Sequence, residues 1–147
     1  MSGHHSSTEV RQLIHYIMKY ALLVTGHPTQ SKACHSALAF AKCIHAHPEH
    51  ELLGIFFYEE SVAVANCFAN PPRDEYNLLA QWEDFHKTAT CPLYICIAAG
   101  IRRGILNEAE SKRHELDGQN CSNSFQLEGL GTWVELNSQA DKVVQFR

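Results

Sequence analysis

Apolar residues fall along this chain in two rhythms. Short unbroken runs, rich in β-branched and aromatic members, alternate with stretches where apolar positions recur every three or four residues. The first rhythm marks strands covered on both faces, and the second marks helices with one buried face. Residues 20–25 read as a first strand and 26–31 as a loop, with Thr29 or Ser31 placed to cap the first helix. Ala33, Ala37, Phe40, Ala41 and Ile44 then trace one face of that helix, which Pro48 ends, and residues 51–57 read as a second strand. Strand, helix and strand in this span predict a βαβ unit with parallel strands and a right-handed crossover.

Glu59 and Glu60 open a short helical stretch to Ala65, with carboxylates at the end the helix dipole favours. Asn70-Pro71-Pro72 breaks it, and Asp74 is expected to cap a helix that buries Leu78, Leu79, Trp82 and Phe85. The apolar run after Pro92 is a third strand, and Cys96 stands where that strand gives way to a helical turn. Asn107 with Glu110 resembles a capping box for a helix to about Leu116. Residues 117–120 form a turn-rich loop, 124–127 a short fourth strand, 129–138 a helix and 142–146 a last strand. This alternation predicts an α/β fold, with a mostly parallel five-stranded sheet and helices on both faces.

The N-terminus stands apart from that pattern. Residues 1–9 are polar and read as disordered. Val10, Leu13, Ile14, Ile17 and Met18 then fall at helical spacing, which fits a short amphipathic helix or a chain whose translation begins at Met18. The expected division is an extension over 1–18 and one domain over 19–147. With 147 residues, 45% of them hydrophobic and 19% charged, that domain can bury a real core. No apolar run reaches membrane-spanning length, and Glu9, Arg11, His15 and Lys19 interrupt any signal-peptide pattern. A cytoplasmic location is expected, in which the six cysteines are reduced thiols. The net charge of −4 and the lack of a basic stripe exclude an ordinary direct nucleic-acid binder.

Candidate chemistry centres on Cys96. In open α/β sheets, ligands and reactions gather at the carboxyl ends of the strands. Backbone N–H groups and a helix start there favour a thiolate, provided the sulfur is also partly exposed. The bland reading is a cysteine that packs as a small hydrophobe. Arg102 and Arg103 either lend positive potential or form a solvated helix face. Cys34, near the start of the first helix, could resolve a disulfide or pass sulfur on, or be buried packing. Cys43 and Cys67 are expected to pack, and Cys91 and Cys121 to be exposed. His45, His47 and His50 with Cys43 are the best metal candidate, but no second ligand group accompanies them, and no metal is expected. Gly26-His27-Pro28-Thr29 lies where a phosphate loop would, yet it is neither G-x-G-x-x-G nor G-K-[ST], so no nucleotide cofactor is expected. The G-x-S-x-G of a serine hydrolase is missing too.

Taken together, several blocks resemble the DsrE/TusD sulfur-relay family: Ala-Leu-Leu-Val-Thr-Gly at 21–26; Phe56-Phe57-Tyr58 followed by Glu59, Val62, Ala65 and Asn66; and Asp74-Glu75 with Trp82. Ile95-Cys96-Ile97-Ala98-Ala99 with Arg102-Arg103-Gly104 is the most specific block. Gly129-Leu130-Gly131 and 141–146 complete it. The resemblance implies a flavodoxin-like three-layer sandwich and a cytoplasmic sulfurtransferase subunit whose active cysteine is Cys96. It implies sister chains like TusB and TusC, or DsrF and DsrH, in a hetero-hexamer. It also implies a TusA-like persulfide donor and a TusE- or DsrC-like acceptor. The end use would be 2-thiolation of the tRNA wobble uridine or, in the Dsr branch, sulfur oxidation. No cofactor is required, because a persulfide relay proceeds by thiolate attack alone, and the backbone of Ala98, Ala99 and Gly100 could hold the anionic sulfur. The extension and the His-rich segment depart from the family pattern. Two other classes compete: a scaffold subunit that could lose Cys96 without consequence, and a small-molecule binder of similar fold.

Overall fold

The computed structural model describes residues 17–147. Five strands form one sheet: β1 (Met18–Val24), β2 (His50–Phe57), β3 (Leu93–Cys96), β4 (Gln126–Glu128) and β5 (Lys142–Phe146). Their order is β4-β3-β2-β1-β5, and each pairing is parallel. The helices are α1 (Ala33–Ala46), α2 (Leu78–Ala89), α3 (Ile97–Arg102), α4 (Glu108–Arg113) and α5 (Leu130–Gln139), with a 3-10 helix at Glu59–Ala65.

Two consecutive phenylalanines show how the layers are built. Successive side chains of a strand point to opposite faces. Phe57 meets Trp82 of α2 edge-to-face at 5.2 Å, whereas Phe56 meets Trp133 of α5 at 6.0 Å. Helices α2 and α5 therefore cover opposite faces of the sheet, and α1 packs beside α2. The expected three-layer sandwich is present. Trp82, Phe56, Phe57, Leu22, Ile55, Leu93 and Ile95 are fully buried in its core. Each such side chain contributes about 1.5–3 kcal/mol relative to exposure.

Several local expectations are corrected. Asp74 is exposed and caps nothing; Asn77 is the cap of α2, its side-chain oxygen accepting from Ala80 N at 3.1 Å. The segment after Pro71-Pro72 stays irregular through Tyr76, so the helix starts later than the acidic residue suggests. Ser31 accepts from Ala33 N at 3.0 Å, although Lys32 is the residue that precedes α1. Asn107 caps α4 as predicted, accepting from Glu110 N at 2.9 Å. Glu110 does not reach back, however; its carboxylate is buried between Arg113 and His114, and the helix ends at Arg113. Of the amphipathic stretch 10–18, residues 10–16 lie outside the described residues, and Met18 is the first residue of β1.

Candidate active site at the carboxyl edge of the sheet

Cys96 is the last residue of β3 and the cap position of α3, which begins at Ile97. The strand-to-helix junction lies where the apolar pattern predicts it. The partial exposure is not there: Cys96 is 1% exposed and belongs to the core cluster. In a parallel sheet a central strand is covered on both faces to its end, and here the cover extends over the junction itself. Beside it in register stands Glu128, across the β3–β4 pairing. Two positions along the same face, Tyr94 has its phenol pushed up by burial and then by the Glu128 carboxylate.

Helix α3 is six residues long and has no side-chain cap at its start. Its first intrahelical bond uses the Cys96 carbonyl and the Gly100 N–H, as at any helix start. Ala98 is exposed, while Ala99 and Gly100 are buried. Gly104 ends the turn at φ +77, a left-handed conformation that glycine adopts without penalty, and its N–H donates to Ile101 O at 3.1 Å.

The two arginines part company. Arg102 is exposed. Arg103 donates through Nε and Nη2 to one oxygen of Glu60 at 3.0 and 2.8 Å, and through Nη1 to the Ala99 carbonyl at 3.1 Å. Its charge is therefore matched by a carboxylate instead of standing free beside the sulfur. Hydrogen bonding and charge from Arg103, with His27 contributing, hold Glu60 below the usual carboxylate range. Glu60 is a residue whose role the linear pattern hides: along the chain it is only an acid at a helix start. Its neighbour Glu59 sits at φ +55, in the left-handed region, where the chain leaves β2 for the 3-10 helix.

The other thiols divide differently from expectation. Cys34 is fully buried, donates to Gly26 O at 3.5 Å, and is pushed by burial to about 12. That keeps it protonated and out of reach, as the packing alternative for it requires. Cys43 and Cys67, expected to pack, are exposed. Cys43 lies off the stripe of Ala37, Ala41 and Ile44, and Cys67 lies just past the end of the 3-10 helix. Cys91, expected to be exposed, is buried ahead of β3, and burial pushes it to about 12. Cys121 is half-buried, and burial with nearby Cys67 raises it to about 11. His47 and His50 stack at 4.2 Å, and His47 Nδ1 accepts from Glu49 N at 3.2 Å. Among the described residues no three His, Cys, Asp or Glu side chains converge to hold a metal ion. A cleft of about 370 Å³, lined by Pro28, His35, Asn66, Tyr76 and Leu78 among others, opens between the loop after β1 and the segment after the 3-10 helix; Cys96 does not line it. No helix of the described residues is long and apolar enough to cross a membrane.

The profile of the DsrE/DsrF-like family matches residues 18–146, which is nearly the whole described chain. The chain belongs to the DsrE/DsrF-like family. "Sulfurtransferase TusD" from Enterobacter sp. (strain 638) is 42% identical over 129 residues, covering 88% of this chain and all of the relative. The proteins of that name from Cronobacter sakazakii and Salmonella typhi are 40% and 41% identical over the same length. In structure, the ychN protein from E. coli superposes with a TM-score of 0.66 at 16% identity, covering 88% of this chain and all of that one, which shows the shared fold. The family and these relatives identify the chain as a sulfurtransferase.

Proposed function

We propose that this DsrE/DsrF-like chain is the sulfur-carrying subunit of a relay complex, with Cys96 as its nucleophile. The observation that carries the reading is the place of Cys96, the last residue of a central parallel strand, with a helix starting at the next residue. Sulfur would arrive as a persulfide on a TusA-like donor. The Cys96 thiolate attacks the outer sulfur, the donor's S–S bond breaks, and the donor thiolate leaves. A TusE- or DsrC-like acceptor thiolate then attacks the outer sulfur now on Cys96 and regenerates its thiolate. Each step exchanges one S–S bond for another, with no net oxidation. The N–H groups of Ala98 and Ala99, in the first turn of α3, are the donors proposed for the anionic sulfur.

The resemblance of the Ile95–Gly104 block to the TusD branch favours 2-thiolation of the tRNA wobble uridine over sulfur oxidation. The partners would be TusB- and TusC-like sister chains in a cytoplasmic hetero-hexamer. What supports a partner is an apolar surface on α5, where Leu130 and Val134 lie one turn apart and are 49% and 64% exposed. A Cys96→Ser variant should fold and assemble as the parent does and accept no labelled sulfur from a persulfide donor. Undiminished transfer by that variant would refute the proposal. The burial of Cys96 favours one other reading, a scaffold subunit whose cysteine only packs, and the same experiment separates the two.

A further inference from the structure

Two thiols that the proposed relay does not use meet where the 3-10 helix ends against the loop leading to β4. Asn66, just past that helix, and Cys121 form an isolated antiparallel bridge. It is closed by Cys67 N donating to Asn120 O at 2.7 Å and by Ser122 N donating to Ala65 O at 2.8 Å. Residues opposed in this way have Cα atoms about 4.5 Å apart. Cys67 comes next, and its N–H holds the carbonyl of the peptide that leads into Cys121. The two cysteines therefore lie within the Cα separation that a disulfide spans, about 4.4–6.8 Å. Strict strand alternation would send their side chains to opposite faces, but at Cys67 the chain is already turning, with Ala69 N donating to Asn66 O at 3.2 Å. The Cys121 thiol, raised first by burial, is raised further by Cys67. Asn120 fixes the arrangement. Its Nδ2 donates to Asn66 Oδ1 at 3.2 Å and to Gly104 O at 3.0 Å, and its Oδ1 accepts from Leu106 N at 2.9 Å. Of the two thiols, Cys67 is exposed and Cys121 is half-buried.

We propose that Cys67 and Cys121 are a resolving pair, which clears sulfur taken up at Cys67 by closing a disulfide and releasing hydrosulfide. An exposed thiol on a sulfurtransferase competes for the persulfides that the protein meets. The Cys67 thiolate attacks the outer sulfur of a persulfide RS–SH, and RS⁻ leaves. The Cys121 thiolate then attacks the inner sulfur, the one bonded to Cys67. The S–S bond of the persulfide breaks, a Cys67–Cys121 bond forms and HS⁻ leaves. The two cysteines lose two electrons, and the added sulfur gains them as hydrosulfide. Excess thiol reopens the disulfide by exchange. The inference rests on the reading that the chain meets persulfides, but not on which cysteine carries sulfur onward.

The test incubates the reduced, full-length protein with glutathione persulfide, blocks the remaining thiols and digests it after glutamate without reductant. That cut isolates Cys67 in residues 61–75 and Cys121 in residues 116–128. In the parent, mass spectrometry should find these two peptides joined by a disulfide, with sulfide released into the medium. In Cys121→Ser and Cys121→Ala, Cys67 should instead keep the added sulfur, and its persulfide should outlive the parent's about tenfold or more. Cys67→Ser, at an exposed site, should leave Cys121 a free thiol. A Cys67 persulfide that lasts as long in the parent as in the Cys121 variants would overturn the pair. So would a Cys67 that takes up no sulfur in any of them, or one joined to a different cysteine or to a second copy of the chain. Undiminished transfer by Cys96→Ser would end the relay reading and leave this disulfide standing, whereas a missing disulfide would end the pair and leave the relay reading standing.

Discussion

The thiol of Cys34 donates to the carbonyl of Gly26 at 3.5 Å, tying the first turn of α1 to the loop that leaves β1. Ionising this sulfur breaks the contact and places a charge in the core. Burial accordingly pushes both Cys34 and Cys91 from the ordinary 9.0 to about 12. Folded-state values raised in this way give stability that is intact below pH 9 and drains as pH climbs from 9 towards 12. Urea midpoints should therefore hold to about pH 9 and then fall. Cys34→Ala should lower the neutral midpoint slightly and flatten the alkaline decline. A parent midpoint that stays level well above that pH would mean these thiols are not buried.

Helix α2 offers a contrast between two candidate caps. Asn77 holds Ala80 N at 3.1 Å, while Asp74 is exposed and outside the helix. Asn77→Ala should cost about 1 kcal/mol in denaturant unfolding, and Asp74→Ala should stay within about 0.5 kcal/mol. Equal effects would mean that the helix begins earlier than Leu78.

Two glycines should be intolerant for different reasons. A Cβ on Gly26 would lie 2.1 Å from Ser31 Oγ and 2.7 Å from both Ala33 Cβ and the Arg147 backbone carbon. Gly26→Ala should therefore destabilise by about 1–3 kcal/mol through overpacking. Gly104 has open space around it but sits at φ +77, so Gly104→Ala should cost about 1 kcal/mol through backbone strain alone. Thermal or urea unfolding of the two variants checks both, and a neutral Gly26→Ala would contradict the packing of the loop after β1.

The elements of this fold were legible because their signals are local. The apolar runs of β1 and β2, the stripe from Ala33 to Ile44 and the last strand at Lys142–Phe146 lie within a residue or two of where the pattern put them. The strand-to-helix junction at Cys96 was legible for the same reason: an apolar run passes into Ala98, Ala99 and Gly100. What failed was non-local. Nothing in the spacing of Glu60 and Arg103, 43 residues apart, marks them as partners; the packing of the 3-10 helix on α3 brings them together. The exposure of Cys43, Cys67 and Cys91 failed likewise. Burial depends on which element lies across from a residue, so Cys91 in a connection is buried while Cys43 within a helix faces out. The same blindness hid the covering of Cys96.

The sharpest measurement is to incubate the full-length protein with a persulfide donor and map, peptide by peptide, which cysteine gains a sulfur atom. The extra sulfur should appear on the peptide carrying Cys96, and neither the exposed Cys43 and Cys67 nor the buried Cys34 should hold it through transfer to an acceptor thiol. Sulfur found on another cysteine, and still passed on from it when Cys96 is replaced by serine, would contradict the assignment.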